Sequence, residues 1–248
     1  ASIRGIELVP KVPSDLVGCV DRNSVDIALA SSIDYQRCDE ALSILPVGVL
    51  SSEGETLTVR LCSKKPFASI TEVHCDTDSH TSVALLQIIL YNEYGITPTI
   101  TSCDVRVLRE SKEWPDTVLM IGDKVVTSAN NTEYPLQLDL GEAWFAQTKL
   151  PFVFAMWFGK TRLPAELVRR ASMVLDRQRR YNAQRIEQVV SEHAGAKGWD
   201  TKFAYRYLTE HIEYFFTEKH EESLELFFAQ AHARGLLEKV KPLTFFEM

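Results

Sequence analysis

The stretch Asp76-Thr77-Asp78-Ser79-His80-Thr81-Ser82 gathers carboxylates and hydroxyls between an apolar run and a strongly helical one. Free backbone N–H groups at a helix start attract carboxylates and phosphates, and the helix dipole adds to that attraction. Ser79, Thr81 and Ser82 could therefore hold an anion, with His80 lending positive charge. The same residue types are ordinary helix caps, and spacing leaves both readings open. Ser31-Ser32 repeat the theme at the end of an earlier apolar run. Thr56 and Thr58 alternate with Leu57 and Val59, so their hydroxyls share one face of an extended segment. Ile121-Gly122-Asp123 closes a further run. Gly122 there permits close backbone approach to a ligand, and Asp123 could orient donors or cap the next helix.

Other chemistries find little support. The sequence has no G-x-S-x-G, P-loop, G-x-G-x-x-G or H-E-x-x-H motif. Its six histidines show no helical pairing, so a metal site is not expected. With 34 acidic and 27 basic residues the net charge is -7, which gives no basic field for nucleic acid or an anionic membrane. An anion must then be held by local donors. The Arg177–Arg180 run reads as a solvated helix face. No apolar run approaches the roughly 20 residues of a membrane span. The five cysteines (Cys19, Cys38, Cys62, Cys75, Cys103) are odd in number and dispersed, which reads as reduced thiols in a cytoplasmic protein.

The elements that must position these residues alternate. Strands are expected at residues 6–9, 25–30, 42–50, 57–62, 70–75, 98–102, 117–121, 136–138 and 150–158. A short helix opens at Pro13, capped at or beside Ser14, and an amphipathic helix over 81–94 ends at Gly95. Helical spacing returns over 164–190, 201–211 and 218–234. Trp144, Trp157, Phe152 and Phe154 read as core. The alternation predicts an α/β fold with mostly parallel sheets. Chain crossings near 64–70 and 150–156 would make two lobes, residues 1–66 with 152–248 and residues 67–151. Ligands in such folds sit beyond the carboxyl ends of the strands, here in the cleft between lobes.

The block Asp139-Leu140-Gly141-Glu142-Ala143-Trp144, followed by Leu150-Pro151-Phe152-Val153-Phe154-Ala155-Met156-Trp157, resembles the chorismate dehydratases of the futalosine route to menaquinone. Asp26-Ile27-Ala28 leading to Ser31-Ser32, Thr81-Ser82-Val83-Ala84-Leu85 and Ile121-Gly122-Asp123 agree in order and spacing. The resemblance runs from about Gly5 to the C-terminal helices. It implies the two-lobed fold of type II periplasmic binding proteins, with C-terminal helices and a cleft between the lobes. It also implies a lyase that converts chorismate to 3-[(1-carboxyvinyl)oxy]benzoate and water without a cofactor. In that reading Thr81-Ser82 would hold one carboxylate and Ser31-Ser32 the other. Thr58 stands where the family has a serine near the departing proton. The family's first strand and a ligand-facing Asn lie ahead of the point where this sequence starts, so a fragment is expected. The alternatives are the sister dihydroxynaphthoate synthase of the same route, a non-catalytic small-anion-binding protein and a relative without activity.

Overall fold

The computed structural model describes residues 5–111, 114–128 and 133–247. In chain order its strands are β1 (Ile27–Ser31), β2 (Leu42–Ser52), β3 (Val59–Ser63), β4 (Glu72–Asp76), β5 (Thr99–Cys103), β6 (Thr117–Ile121), β7 (Leu136–Asp139) and β8 (Phe152–Lys160). The helices are α1 (Pro13–Asp21), α2 (Ser32–Arg37), α3 (His80–Tyr94), α4 (Val105–Ser111), α5 (Asp123–Ser128), α6 (Leu140–Thr148), α7 (Ala165–Ala183), α8 (Ile186–His193), α9 (Thr201–Arg206) and α10 (Glu218–Ala233). A π-helical turn, Tyr207–His211, continues α9.

The strands form two sheets. One has the order β1-β8-β2, with β8 antiparallel to both neighbours. The other has the order β5-β4-β6-β3-β7. Within it β4 is parallel to β5 and β6, whereas β3 runs antiparallel to β6 and β7. The mostly parallel arrangement expected from the alternation is thus corrected. Alternation fixes the order of elements, but strands that cross between sheets enter their new sheet reversed. The crossings fall at residues 53–58 and 149–151. Because β3 belongs to the five-stranded sheet, the first crossing comes before Val59 and not near residues 64–70 as expected.

Local details follow the side chains. α3 is capped by Ser79 Oγ, which accepts from Ser82 N, and Gly95 closes it with a left-handed φ of 67°. It was expected to be amphipathic, yet its buried residues run from Thr81 to Leu90 around most of its surface. Such a helix belongs inside the protein and not on its surface. α1 starts with Pro13 in its first turn, a position that needs no N–H. Val12 is its N-cap and no side-chain cap is made, so the cap expected near Ser14 is absent. Residues 6–9 form no strand, and Leu8 and Val9 are exposed. Ile6 makes only an isolated bridge. Residues 1–4, on which the expectation of a late start rests, lie outside the described residues. The long helix expected over 164–190 breaks at Gln184-Arg185 into α7 and α8. No helix among the described residues is long and apolar enough to cross a membrane.

One hydrophobic cluster runs through both sheets, from Ala30 and Ile44 to Leu61, Val73 and Leu85. Its aromatic centre joins α6, β8 and α10. Trp144 meets Phe152 edge-on at 5.3 Å and Phe152 meets Phe227 at 5.0 Å. The buried indole N–H is satisfied by Ser223 Oγ at 3.1 Å. Phe154 and Trp157, expected in the core, are only partly buried; Phe154 packs edge-on against Phe152 at 4.8 Å, and Trp157 packs against a second cluster with Leu45 and Val168. Phe152→Ala should therefore cost about 3–5 kcal/mol in a urea unfolding titration. A loss below about 1 kcal/mol would show that this cluster does not hold the two sheets together.

Candidate functional site

Thr56 and Thr58 lie on the first crossing segment, and a single carboxylate sets its shape. Asp139 Oδ1 accepts from Thr56 N at 2.9 Å, and Oδ2 accepts from Leu57 N at 2.7 Å. The same Oδ1 caps α6, accepting from Gly141 N at 3.0 Å and Glu142 N at 3.2 Å. Burial pushes the Asp139 carboxyl above its usual range, against the N–H donors and Arg60, which pull it down. Between the two threonines Leu57 takes a left-handed φ of 64°. That conformation costs a branched residue about 1–2 kcal/mol. A Cβ on Gly141 would lie 2.6 Å from Gly54 O, so only glycine allows α6 to approach this segment so closely. Thr58 Oγ1 sits 3.5 Å from Thr56 Oγ1 and 3.2 Å from Tyr207 Oη; the turn at Leu57, and not the alternation expected of a strand from residue 57, brings the two threonines together. Gly122 N donates to Thr58 O at 2.7 Å, with Gly122 at a φ of 69°.

The serine and threonine pairs converge in one place. Ser32 Oγ donates to Val153 O at 2.7 Å and lies 3.2 Å from Thr81 Oγ1. Thr81 Oγ1 in turn accepts from Ile33 N at 3.1 Å. Ser82 Oγ donates to Ser79 Oγ at 3.1 Å. The reading that placed Ser31-Ser32 and Thr81-Ser82 at separate carboxylates meets here a single linked cluster, in which Ser32 and Thr81 are wholly buried. Ser31 Oγ is also buried, yet it has no hydrogen-bond partner among the described residues. An unpaired buried hydroxyl costs about 1–3 kcal/mol, which a bound polar group would relieve. Beside the cluster His80 Nδ1 lies 2.9 Å from both oxygens of Asp34, a buried carboxylate. His80 thus spends its charge on Asp34, and its pKa is raised chiefly by that hydrogen bond, against burial.

Charged residues frame these groups. Lys124 Nζ donates to Asp76 Oδ1 at 2.7 Å and also to Asp78, whose other contact is Arg106. This network ties the start of α5 to the turn that precedes α3. Asp123, considered as a donor-orienting or capping residue, is half-exposed and pairs with Lys197 Nζ at 2.8 Å. A cavity of about 1020 Å³ lies elsewhere, between the three-stranded sheet and the C-terminal helices. Leu29, Val49, Trp157, Leu175, Ile186 and Phe215 help to line it, and it contains none of the expected site residues. Arg179, read as part of a solvated face, lines it too and stacks 4.1 Å from the Phe215 ring centre.

Several positions escaped the sequence reading. Asp139 followed by Glu142 is a cap-like pair ahead of a helix, a signal that could have marked it. Asp34 and Lys124 had no such mark. Tyr207 stood in a segment read as continuous helix, and a π-turn leaves no trace in hydrophobic spacing.

Two outcomes follow. Asp139→Asn puts an amide N–H against backbone N–H donors, and should lower stability by about 1–3 kcal/mol in urea; no change would remove Asp139 as the brace of this segment. For His80 the folded state holds its proton more tightly than the unfolded chain. The resulting stability is full below the ordinary histidine pKa of about 6.5 and fades as pH rises through the raised value. In Asp34→Asn the His80 titration followed by NMR should fall back toward the ordinary value; an unmoved titration would exclude Asp34 as the cause.

The chain was compared with known proteins. A chorismate dehydratase of Thermus thermophilus is 29% identical over 170 residues, a match covering 62% of this chain and 62% of that protein. Among solved structures, protein AF1704 from Archaeoglobus fulgidus superposes with a TM-score of 0.67 at 17% identity, covering 93% of this chain and 86% of that one. The alkanesulfonate-binding protein SsuA from Xanthomonas axonopodis pv. citri does so with a TM-score of 0.67 at 14% identity, covering 92% and 82%. At such identities the likeness is one of fold, and the fold is periplasmic-binding-protein-like as expected. The family model described as menaquinone biosynthesis matches residues 2–233, nearly the whole chain, and the protein belongs to that family.

Proposed function

We propose that the protein is a carbon–oxygen lyase that dehydrates chorismate to 3-[(1-carboxyvinyl)oxy]benzoate. The observation that carries this reading is the match to the Thermus chorismate dehydratase within a shared family. The alignment takes in 62% of that relative's length. The local chemistry agrees with it. Chorismate's C3 hydrogen is vinylogous to the ring carboxylate, so hydrogen bonds to that carboxylate acidify it. The C3–H bond breaks and its electron pair enters the ring, while the C4–O bond breaks and hydroxide departs. Proton and hydroxide leave together as water, and the ring becomes aromatic.

Such an elimination needs hydrogen-bond donors and a proton path, not a covalent nucleophile. In this reading the cluster of Ser31, Ser32, Ser79, Thr81 and Ser82 supplies donors to a carboxylate, with Ser31 Oγ still unpaired. Substrate binding would have to open the Ser32–Thr81 contact. His80 contributes through Asp34, and Gly122 and Asp123 contribute by fixing the segment around Thr58. Thr58 stands beside the reacting carbon, with Thr56 behind it. A threonine hydroxyl is a poor base at neutral pH, so the substrate's own carboxylate takes the proton with Thr58 guiding it. All five cysteines are free, and burial pushes the thiols of Cys62 and Cys75 up to about 12. Unpaired, unreactive thiols suit a reducing cytoplasm.

Incubation with chorismate, followed by chromatography, should yield the enolpyruvyl benzoate. Thr58→Val, which keeps the shape and removes the hydroxyl, should lower turnover at least about 100-fold. Full activity in that variant would end the role of Thr58. Chorismate bound but recovered unchanged by the wild-type protein would instead favour a small-anion-binding protein.

A further inference from the structure

Tyr207 opens the π-turn Tyr207–His211 and reaches the first crossing segment from the C-terminal region. Its ring packs 5.1 Å from Trp199, and its Oη lies 3.2 Å from Thr58 Oγ1. Two further ties hold this region, one to the same segment and one to the start of α5. His211 Nδ1 lies 3.1 Å from Glu55 O, and Lys197 Nζ pairs with Asp123 at 2.8 Å. The phenol is therefore delivered to a fixed place by groups on both sides of it.

The hydroxyl of Thr58 has one hydrogen to give. Within its reach are Thr56 O at 3.4 Å, a long and weak contact, Thr56 Oγ1 at 3.5 Å and Tyr207 Oη at 3.2 Å, and between hydroxyls either can donate. When that hydrogen points to Thr56 O or to a ligand, the phenol donates to Thr58 Oγ1. Burial holds the phenol above its ordinary pKa, so it stays protonated and remains a donor. A ligand oxygen that replaces the weak contact to Thr56 O would take the Thr58 hydrogen without disturbing the bond from Tyr207.

We infer that Tyr207 is a positioning residue for Thr58, its O–H fixing the direction in which the Thr58 hydroxyl presents its own hydrogen to the ligand. The inference rests on the dehydratase reading for its reaction, but its geometry is independent of it. Tyr207 acts through Thr58 and not on the substrate.

The test is a double-mutant cycle on the full chain with Tyr207→Phe, Thr58→Val and the two combined. Tyr207→Phe keeps the ring against Trp199 and removes one hydrogen bond. It should lower kcat about 10-fold with KM nearly unchanged, as loss of about 1.4 kcal/mol implies. In the Thr58→Val background it should have no further effect, because its target is gone. Multiplying losses, or a Tyr207→Phe kcat equal to that of the wild type, would overturn the inference. Wild-type turnover of chorismate is measured first, and its absence would sink the dehydratase reading alone. The same cycle is then read on unfolding free energy in urea, where non-additivity of the two substitutions supports the Tyr207–Thr58 coupling and additivity overturns it.

Discussion

The Asp139 carboxylate is the interaction on which the rest of the site depends. It is almost wholly buried and accepts four backbone N–H groups, two from the crossing segment and two from the first turn of α6. A buried charge is tolerated only where such donors satisfy it. Here they also lock two pieces of chain that approach from different directions. Leu57 would ordinarily avoid its left-handed φ, and the bond from its N–H to Asp139 Oδ2 holds it there. That twist sets where Thr58 points. Gly141 is the second half of the same constraint, since any side chain there would push α6 away from Gly54.

A net charge of -7 leaves the protein without a field that would draw anions in from solution. Its basic groups near the site are already committed. Lys124 is bound by Asp76 and Asp78, Lys197 by Asp123, and His80 by Asp34. What remains for an anion is a set of hydroxyls and N–H groups at the starts of α2 and α3. Discrimination in such a site comes from geometry and from the price of leaving a donor unpaired, more than from attraction at a distance. Two of these committed cations still matter, because Lys124 braces the turn before α3 and His80 joins the starts of α2 and α3.

Much of the fold was legible in the residues. The strand at 117–121 matches its expected bounds, and the Ser79 cap and Gly95 stop of α3 were readable because capping chemistry is local. Strand direction was not readable. Whether β3 pairs with β4 or inserts between β6 and β7 depends on contacts far apart in sequence. The same limit applies to the site. Alternation put Thr56 and Thr58 on one strand face, whereas the left-handed turn at Leu57 is what brings their hydroxyls together, and Tyr207 and Asp34 act on partners 149 and 46 residues away. The two hydroxyl pairs were each visible, but their convergence into one cluster needed α2 and α3 to pack end to end.

Ser51, His220 and Glu213 look at first like a nucleophile with its base. Ser51 Oγ lies 2.8 Å from His220 Nε2, and Glu213 reaches the same nitrogen at 3.3 Å. The other ring nitrogen decides the matter. His220 Nδ1 accepts from Thr217 N at 3.2 Å, as part of the capping box that starts α10. The neutral ring therefore carries its hydrogen on Nε2 and donates it, so it cannot take a proton from Ser51. Burial lowers the His220 pKa, which keeps the ring in that neutral form. Glu213, moreover, faces the donor nitrogen and not the far side, where the orienting acid of a triad would stand. This trio is a structural clamp between β2 and α10. Covalent attack by Ser51 finds no base in this ring, and the reading proposed above uses instead the hydroxyls around Thr58 and Ser31.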